Sequence, residues 1–275
     1  MSAIRQIIVK EIRDGLRNRW IAALIVVLAG LALVLALLGA APGGEVKASA
    51  LSVTVVSLAS LSVYLLPLIA LMLSYDAIVG EAERGTLLLL LSYPVARWQV
   101  ALGKFLGHLA ILTLAILIGY GGAGVVVALL GGVDAEGWHA LAALCASSVL
   151  LGAVFIAIGI CISVVVEEHS KAAGLALTLW LVLVVLYDLG LLGALLLDSN
   201  QSLSSGLFTA LLLANPTDAF RVFNLTLVEG VREAGGLAGL GAQTVPHPAL
   251  PLGLLALWTA TALGAATALF IRKEI

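Results

Sequence analysis

Six apolar runs decide what this chain can fold into. They cover roughly residues 20–41, 51–75, 105–130, 138–166, 172–197 and 249–271. Each reaches the ~20 residues that a helix needs to cross the hydrocarbon core of a bilayer. In lipid an open strand would leave its backbone N–H and C=O groups unpaired, so runs of this kind are helices. Composition agrees, with 62% of the 275 residues hydrophobic and 11% charged, against ~25% charged in soluble domains. The fold class expected is an all-α membrane protein of six transmembrane helices. It forms a single domain over residues 1–275, because no polar segment is long enough to build a second core. The net charge of −2 gives no footprint for nucleic acid. The first run is too long for a signal-peptide core and no small-residue cleavage pattern follows it, so it reads as a retained span.

Basic residues orient the spans. If both termini face the cytoplasm, eleven of the 14 lysines and arginines lie on that side. Only Lys47, Arg221 and Arg232 lie on the other. This bias follows the positive-inside rule and puts both termini on the cytoplasmic side. Before the first span, IRQIIVKEIRDGLRNRW puts Ile4, Ile7, Ile8, Ile12 and Leu16 on one side of a helical wheel. Lys10, Arg13, Asp14 and Arg17 fall mainly on the other. Residues 1–19 therefore read as an interfacial helix on the inner leaflet, the alternative being a basic flank that only sets topology. The outer segment 198–248 contains GLFTALLLAN (206–215), too short to span. Asn215 and Pro216 then make a helix start, Asn as cap and Pro in the first turn. Phe220, Phe223 and Leu227 follow at helical spacing, then Gly235, Gly236, Gly239, Gly241 and VPHP. Short outer helices that meet a partner or cap a pathway are one reading, and a plain connector is the other. Ala115, Gly119 and Ala123, spaced by four, predict close helix packing.

The motifs of several enzymes are missing. Glu167-Glu168-His169 lacks the second histidine of a zinc-protease helix, and neither a G-x-S-x-G elbow nor a phosphate-binding G-x-x-x-x-G-K-[ST] loop occurs. The chain thus reads as a membrane subunit and not an enzyme. His108, His139, His169 and His247 fall at different membrane levels, and Cys145 and Cys161 point to nearly opposite helix faces. No metal or cofactor site is expected in this chain. Asp188, inside LVLVVLYDLGLLG, is the intramembrane polar candidate. Three readings stand for it: a protonated bundle hydrogen bond, a cap at a helix break near Gly190, or a wall of a substrate path. No lysine or arginine in the spans is an obvious partner.

Residues 76–104, DAIVGEAERGTLLLLLSYPVARWQVALGK, lie between the second and third spans. Charges bound the segment and Pro94 interrupts it, so it reads as helix, bend, helix: Gly85–Ser92, a break near Tyr93-Pro94, and Ala96 onward. Leu87–Leu91 would sit in the interface or a protein groove, and Arg97 and Lys104 would face water or a partner. The order of Glu81 and Glu83, Gly85-Thr86-Leu87-Leu88, Pro94, Arg97 and Gly103-Lys104 resembles the equivalent region of ABC-2 type permeases. The six-span plan and the N-terminal amphipathic helix fit the same family. Longer strings, among them KEIRDGLRNRW (10–20), SLASLSVYLLPLIALMLSYDAIVGE (57–81), KAAGLAL (171–177) and LLANPTDAFRVFNL (212–225), resemble the membrane subunits of ABC transporters that serve nitrous oxide reductase maturation. This resemblance implies a homodimer, a cytoplasmic ABC ATPase (NosF-like) that binds ATP and Mg, and a periplasmic repeat protein (NosD-like). It implies a part in assembling the reductase's copper–sulfur site. It makes residues 81–104 the main ATPase-coupling element and 167–171 the second contact, with Glu81, Glu83, Arg84, Arg97, Glu167 and Glu168 as candidates. Asn215, Pro216, Asp218 and Arg221 become candidate contacts for the periplasmic partner. A generic ABC-2 exporter of a lipid, drug or polysaccharide, or an autonomous secondary transporter, are the alternatives.

Overall fold

The computed structural model describes residues 3–39, 50–130, 135–197, 204–226, 247 and 249–273. Lys47, Leu227, Arg232, the glycine-rich stretch 235–241 and most of the VPHP string lie outside the described residues. Those described form helices and no strand: α1 (Ala3–Arg17), α2 (Arg19–Gly39), α3 (Ala50–Ser74), α4 (Val79–Glu83), α5 (Thr86–Leu91), α6 (Arg97–Leu129), α7 (Ala135–Val165), α8 (His169–Leu197), α9 (Ser205–Ala214), α10 (Pro216–Thr226) and α11 (Ala249–Arg272). Six helices are long and apolar enough to cross a membrane: α2, α3 with its extension into α4, α6, α7, α8 and α11. These are the six runs of the sequence.

Helix α7 is the centre of the bundle. It has no polar face, and most of its length is buried in protein where other apolar spans stay open to lipid. Helices α3, α6, α10 and α11 cover it, and every residue from Leu151 to Ile160 is buried. Glycines allow the approach: a Cβ on Gly152 would strike Leu112 of α6, and one on Gly159 would strike the Ser74 hydroxyl of α3.

Helix α6 has 33 residues, or ~50 Å, well beyond the ~30 Å of a hydrocarbon core. The surplus is at its start, where Arg97, Gln99, Lys104 and His108 lie. Helix α1 runs parallel to this part. Ile7 sits over Gly103 and Glu11 over Gly107, where an added Cβ would come within 2.7 and 2.5 Å of them, and Gly15 sits over Ile111. The amphipathic helix is therefore seated on protein through Ile7, Glu11 and Gly15, while Val9 and Leu16 stay exposed. Beyond a turn at Asn18, whose side chain accepts the Trp20 N–H at 2.9 Å, α2 follows the upper half of α6. There Gly119 faces the Ala29 backbone, 3.4 Å from where its Cβ would be, as the spacing of small residues predicts.

Residues 76–104 fold as helix, bend, helix. Gly85 links α4 to α5 with φ of +70°, a left-handed turn that favours glycine. The chain then breaks at 92–96, and the Gln99 side chain accepts the Ala96 N–H at 3.0 Å to start α6. The outer segment departs from expectation. Asn215 does cap α10, accepting the Thr217 N–H at 3.1 Å. Yet α10 is inside the bundle, against α3, α7 and α11, with Phe220 and Phe223 buried and Asn224 paired with Ser147 of α7. Its 11 residues cover ~16 Å, so it enters the bundle without crossing.

A branched side chain at Gly107 would wedge α1 away from α6. Overpacking typically costs about 1–3 kcal/mol. The thermal midpoint of Gly107→Val in detergent is expected to fall by several degrees. Gly174→Ala, where a Cβ meets nothing within 4 Å, is expected to hold or rise slightly.

Candidate functional site

At the end of the bundle where α1, α4 and the start of α6 meet, two ammonium groups and two carboxylates interlock. Lys104 of α6 is 1% exposed. Its Nζ lies 2.9 Å from Glu11 Oε1 of α1 and 2.8 Å from Glu81 Oε1 of α4. Lys10 of α1 reaches the same two oxygens at 3.1 and 2.6 Å. His108 Nε2 stands 3.5 Å from Glu11 Oε2. Burial alone would raise the Glu11 carboxyl, but His108, Lys104 and Lys10 outweigh it and hold it well below the usual carboxylate range. Burial would likewise lower the Lys10 ammonium, but Glu81 and Glu11 hold it above the usual lysine range. Asp76 and Arg84 join these groups around a cavity of about 160 Å³, roomy enough for water. Lys104 was expected to face water or a partner and is instead the most enclosed charge of the segment. Glu81, a coupling candidate, also faces inward at 7% exposure.

The neighbouring helix ends are tied to this cluster. Glu83 Oε1 accepts the His169 N–H at 2.6 Å, so the α4 carboxylate caps α8. The Ser163 hydroxyl of α7 accepts the N–H groups of Ile78 and Val79 at 2.8 and 3.0 Å, capping α4. The Tyr75 hydroxyl lies 3.2 Å from His169 Nε2. The two coupling regions read from the sequence, 81–104 and 167–171, therefore form one platform. Arg97 differs from expectation: its Nη1 donates to the carbonyls of Phe270, Ile271 and Lys273 at 3.0, 3.0 and 2.5 Å. It caps α11, where a cation complements the helix dipole. Lys273 in turn donates to Val164 and Val166 at 2.7 and 3.2 Å, closing α7. Arg84, Glu167, Glu168, Leu88, Leu89 and Tyr93 remain exposed on the platform. A groove of about 490 Å³ between α1 and α5 is lined by Lys10, Arg84, Leu89 and Tyr93 among others.

About 28 Å further along α8, Asp188 has a partner that the sequence did not offer. Arg221 Nη1 of α10 binds Asp188 Oδ2 at 2.8 Å and Asp218 Oδ1 at 3.2 Å. Asn215 Nδ2 donates to Asp218 Oδ2 at 3.1 Å and to the Leu183 carbonyl at 2.7 Å. That carbonyl belongs to a π-helical turn, Leu181–Leu186. Burial and then the Asp188 charge push the Asp218 carboxyl up to about 8, against the pull of Arg221. Asn215, Pro216 and Asp218, offered to a periplasmic partner by the sequence, are buried within the chain. Only Arg221 and Asp188 are half-open. The signal available was the Asn-Pro cap followed by an acid and a base three residues apart.

A model of the ABC-2 family transporter proteins matches residues 5–275. The chain belongs to the ABC-2 transporter family. It is 48% identical over 276 residues to the probable ABC transporter permease protein NosY of Stutzerimonas stutzeri, covering 99% of each chain. It is also 48% identical over 269 residues to the protein of the same name from Pseudomonas aeruginosa, covering 97% of each. As an ABC transporter permease the chain is a membrane subunit, and its six apolar helices fit that role.

Two outcomes test the permease's inner cluster. Lys104→Met keeps the volume and strands two buried carboxylates with Lys10 alone. Breaking a buried pair in this way costs about 3–5 kcal/mol, so the thermal midpoint is expected to drop sharply and to recover in part when Glu81→Gln is added. Glu11 has a depressed folded value, so its contribution is present above the ordinary 4.5 and is lost as pH falls below it. The gap in thermal midpoint between wild type and Glu11→Gln is expected to be full at neutral pH and to shrink in acid below that value.

Proposed function

We propose that this permease works as a pair of identical chains that carries the stroke of a cytoplasmic ABC ATPase (NosF-like) across the bacterial inner membrane. In this reading it meets a periplasmic repeat protein (NosD-like) and serves assembly of the copper–sulfur site of nitrous oxide reductase. The name shared by the two relatives supports the maturation role. The excess of basic residues supports a cytoplasmic platform with both termini on that side. ATP and Mg bind the ATPase, and this chain only receives the motion.

The observation that carries the coupling reading is the set of ties on α4. Glu81 is held by Lys104 of α6 and Lys10 of α1, Glu83 holds the first turn of α8, and Ser163 of α7 holds the first turn of α4. A push on the exposed ridge of Leu88, Leu89 and Tyr93 therefore reaches α1, α3, α6, α7 and α8 together. Glu81, Glu83 and Arg97 act inside the chain as transmitters. Arg84, Glu167 and Glu168 stay free to meet the ATPase, although exposed pairs of this kind contribute only about 0–1 kcal/mol each. The apolar ridge supplies the larger share of the grip.

Gentle extraction of the tagged chain tests this reading. Two copies with an ATPase pair and a repeat protein are expected. Recovery with an ATPase alone would point to a generic ABC-2 exporter, and a chain recovered alone in several mild detergents would overturn the coupling reading. Within the complex, Leu88→Asp with Leu89→Asp is expected to lower ATPase stimulation several-fold while leaving the thermal midpoint of the isolated permease in place.

A further inference from the structure

The cluster at Asp188 has one negative charge too many for its surroundings. Asp188 and Asp218 share a single guanidinium, that of Arg221, and Asp218 is 0% exposed. Both acids lie on the same nitrogen, Arg221 Nη1, at 2.8 and 3.2 Å. The groups around them are few. Helix α8 adds Tyr187, whose hydroxyl donates to the Leu211 carbonyl. Helix α10 adds only Arg221. Helices α3, α9 and α11 bring no acid, lysine or histidine along their packed lengths. Helix α7 carries Glu136 and His139, eight or more residues (~12 Å of helix) from the Ser147 that touches α10. Among the described residues no second cation balances the pair.

We propose that Asp188 and Asp218 form a proton-binding site, in which one proton is shared between the two carboxyls beside Arg221. Two like charges on one guanidinium, one of them fully buried, disfavour ionisation of both, and the buried one keeps its proton. A metal ion fits poorly, since both Asp218 oxygens already accept hydrogen bonds, from Arg221 and Asn215. Among the described residues no three His, Cys, Asp or Glu side chains converge. The proton's place gives it a consequence. It lies at the junction of α10 with α8, beside the π turn whose Leu183 carbonyl is held by Asn215. Releasing the proton leaves two carboxylates on one guanidinium and weakens the seat of α10.

Infrared difference spectroscopy on the purified full-length protein in a maltoside detergent counts protonated carboxyls. Wild type is expected to lose one as pH rises through about 8. Asp218→Asn and Asp188→Asn, each with one acid left for one base, are expected to lose none there. Asp218→Asn keeps the Asp188–Arg221 pair and is expected to hold its neutral-pH thermal midpoint. Its folded value stands above the ordinary 3.8, so wild-type stability falls as pH rises from 3.8 towards 8, and Asp218→Asn flattens that fall. A wild type with no protonated carboxyl at neutral pH, or a signal that survives in both Asn variants, overturns the proposal. So does stabilisation by sodium or potassium that both Asn variants abolish, which would make the ligand a metal cation.

Discussion

A buried lysine held between two glutamates sets the architecture of the platform. On a surface such pairs contribute little, and taking an ammonium out of water costs several kcal/mol. Lys104 is tolerable inside only because Glu11 and Glu81 arrive from opposite sides, with Lys10 completing a set of two cations and two anions. The cluster therefore specifies more than it stabilises. One register of α1 on α6 brings Glu11 to Lys104 while seating Ile7 on Gly103 and Gly15 on Ile111. Any shift by a residue would strand a charge and close the glycine gaps. The same condition fixes α4, because Glu81 must reach the same ammonium.

Above that cluster lipid is as apolar as the side chains, so burial alone does not hold the spans together. Close approach and satisfied backbone groups do that work. Gly119, Gly152 and Gly159 let α6 and α7 touch their neighbours. Helix ends are closed by side chains from elsewhere: α8 by Glu83, α11 by Arg97, α7 by Lys273, and α9 by the Trp258 indole, which donates to the Ala214 carbonyl at 3.1 Å. Charges that look available in the sequence are thus consumed inside the fold.

This explains what could be read from residues alone. The spans, the bend at Pro94 and the Asn215-Pro216 helix start rest on local rules of length, backbone restriction and capping, and the structure has each of them. The small-residue spacing at Gly119 was legible for the same reason. The destinations of charged groups were not legible. Lys104 and Glu81 are 23 residues apart in sequence, and nothing in that spacing says that they meet or that Glu11 joins them. Arg97 reads as basic surface until the carbonyls of α11 are beside it. Arg221 was assigned to an outer loop, so Asp188 had no visible partner. Helical periodicity gives the face of α1 but does not say that Gly103 and Gly107 receive it.

The two charged clusters differ in a way that matters for how the ends behave. At the platform, against the cost of burial, Glu11 is held below the usual carboxylate range by His108, Lys104 and Lys10, and Glu81 by the two lysines, while Asp14 adds a third acid 3.7 Å from Lys10. Carboxylates held down in this way stay ionised across the neutral range. At the far cluster the balance is odd, two acids to one base, and the surplus lies on a short helix that enters the bundle without crossing it. Buried Phe220 and Phe223 and the Asn224–Ser147 pair seat that helix in the bundle, while its side toward α8 rests on one guanidinium, one asparagine and a carbonyl of a π turn. Such turns interrupt the regular hydrogen-bond ladder and often mark functional positions in helices. Helix α7 links the two ends, buried throughout from Leu151 to Ile160 and bonded to α10 at Ser147, so the charge state of the far cluster and the packing of the bundle's centre meet on one short helix.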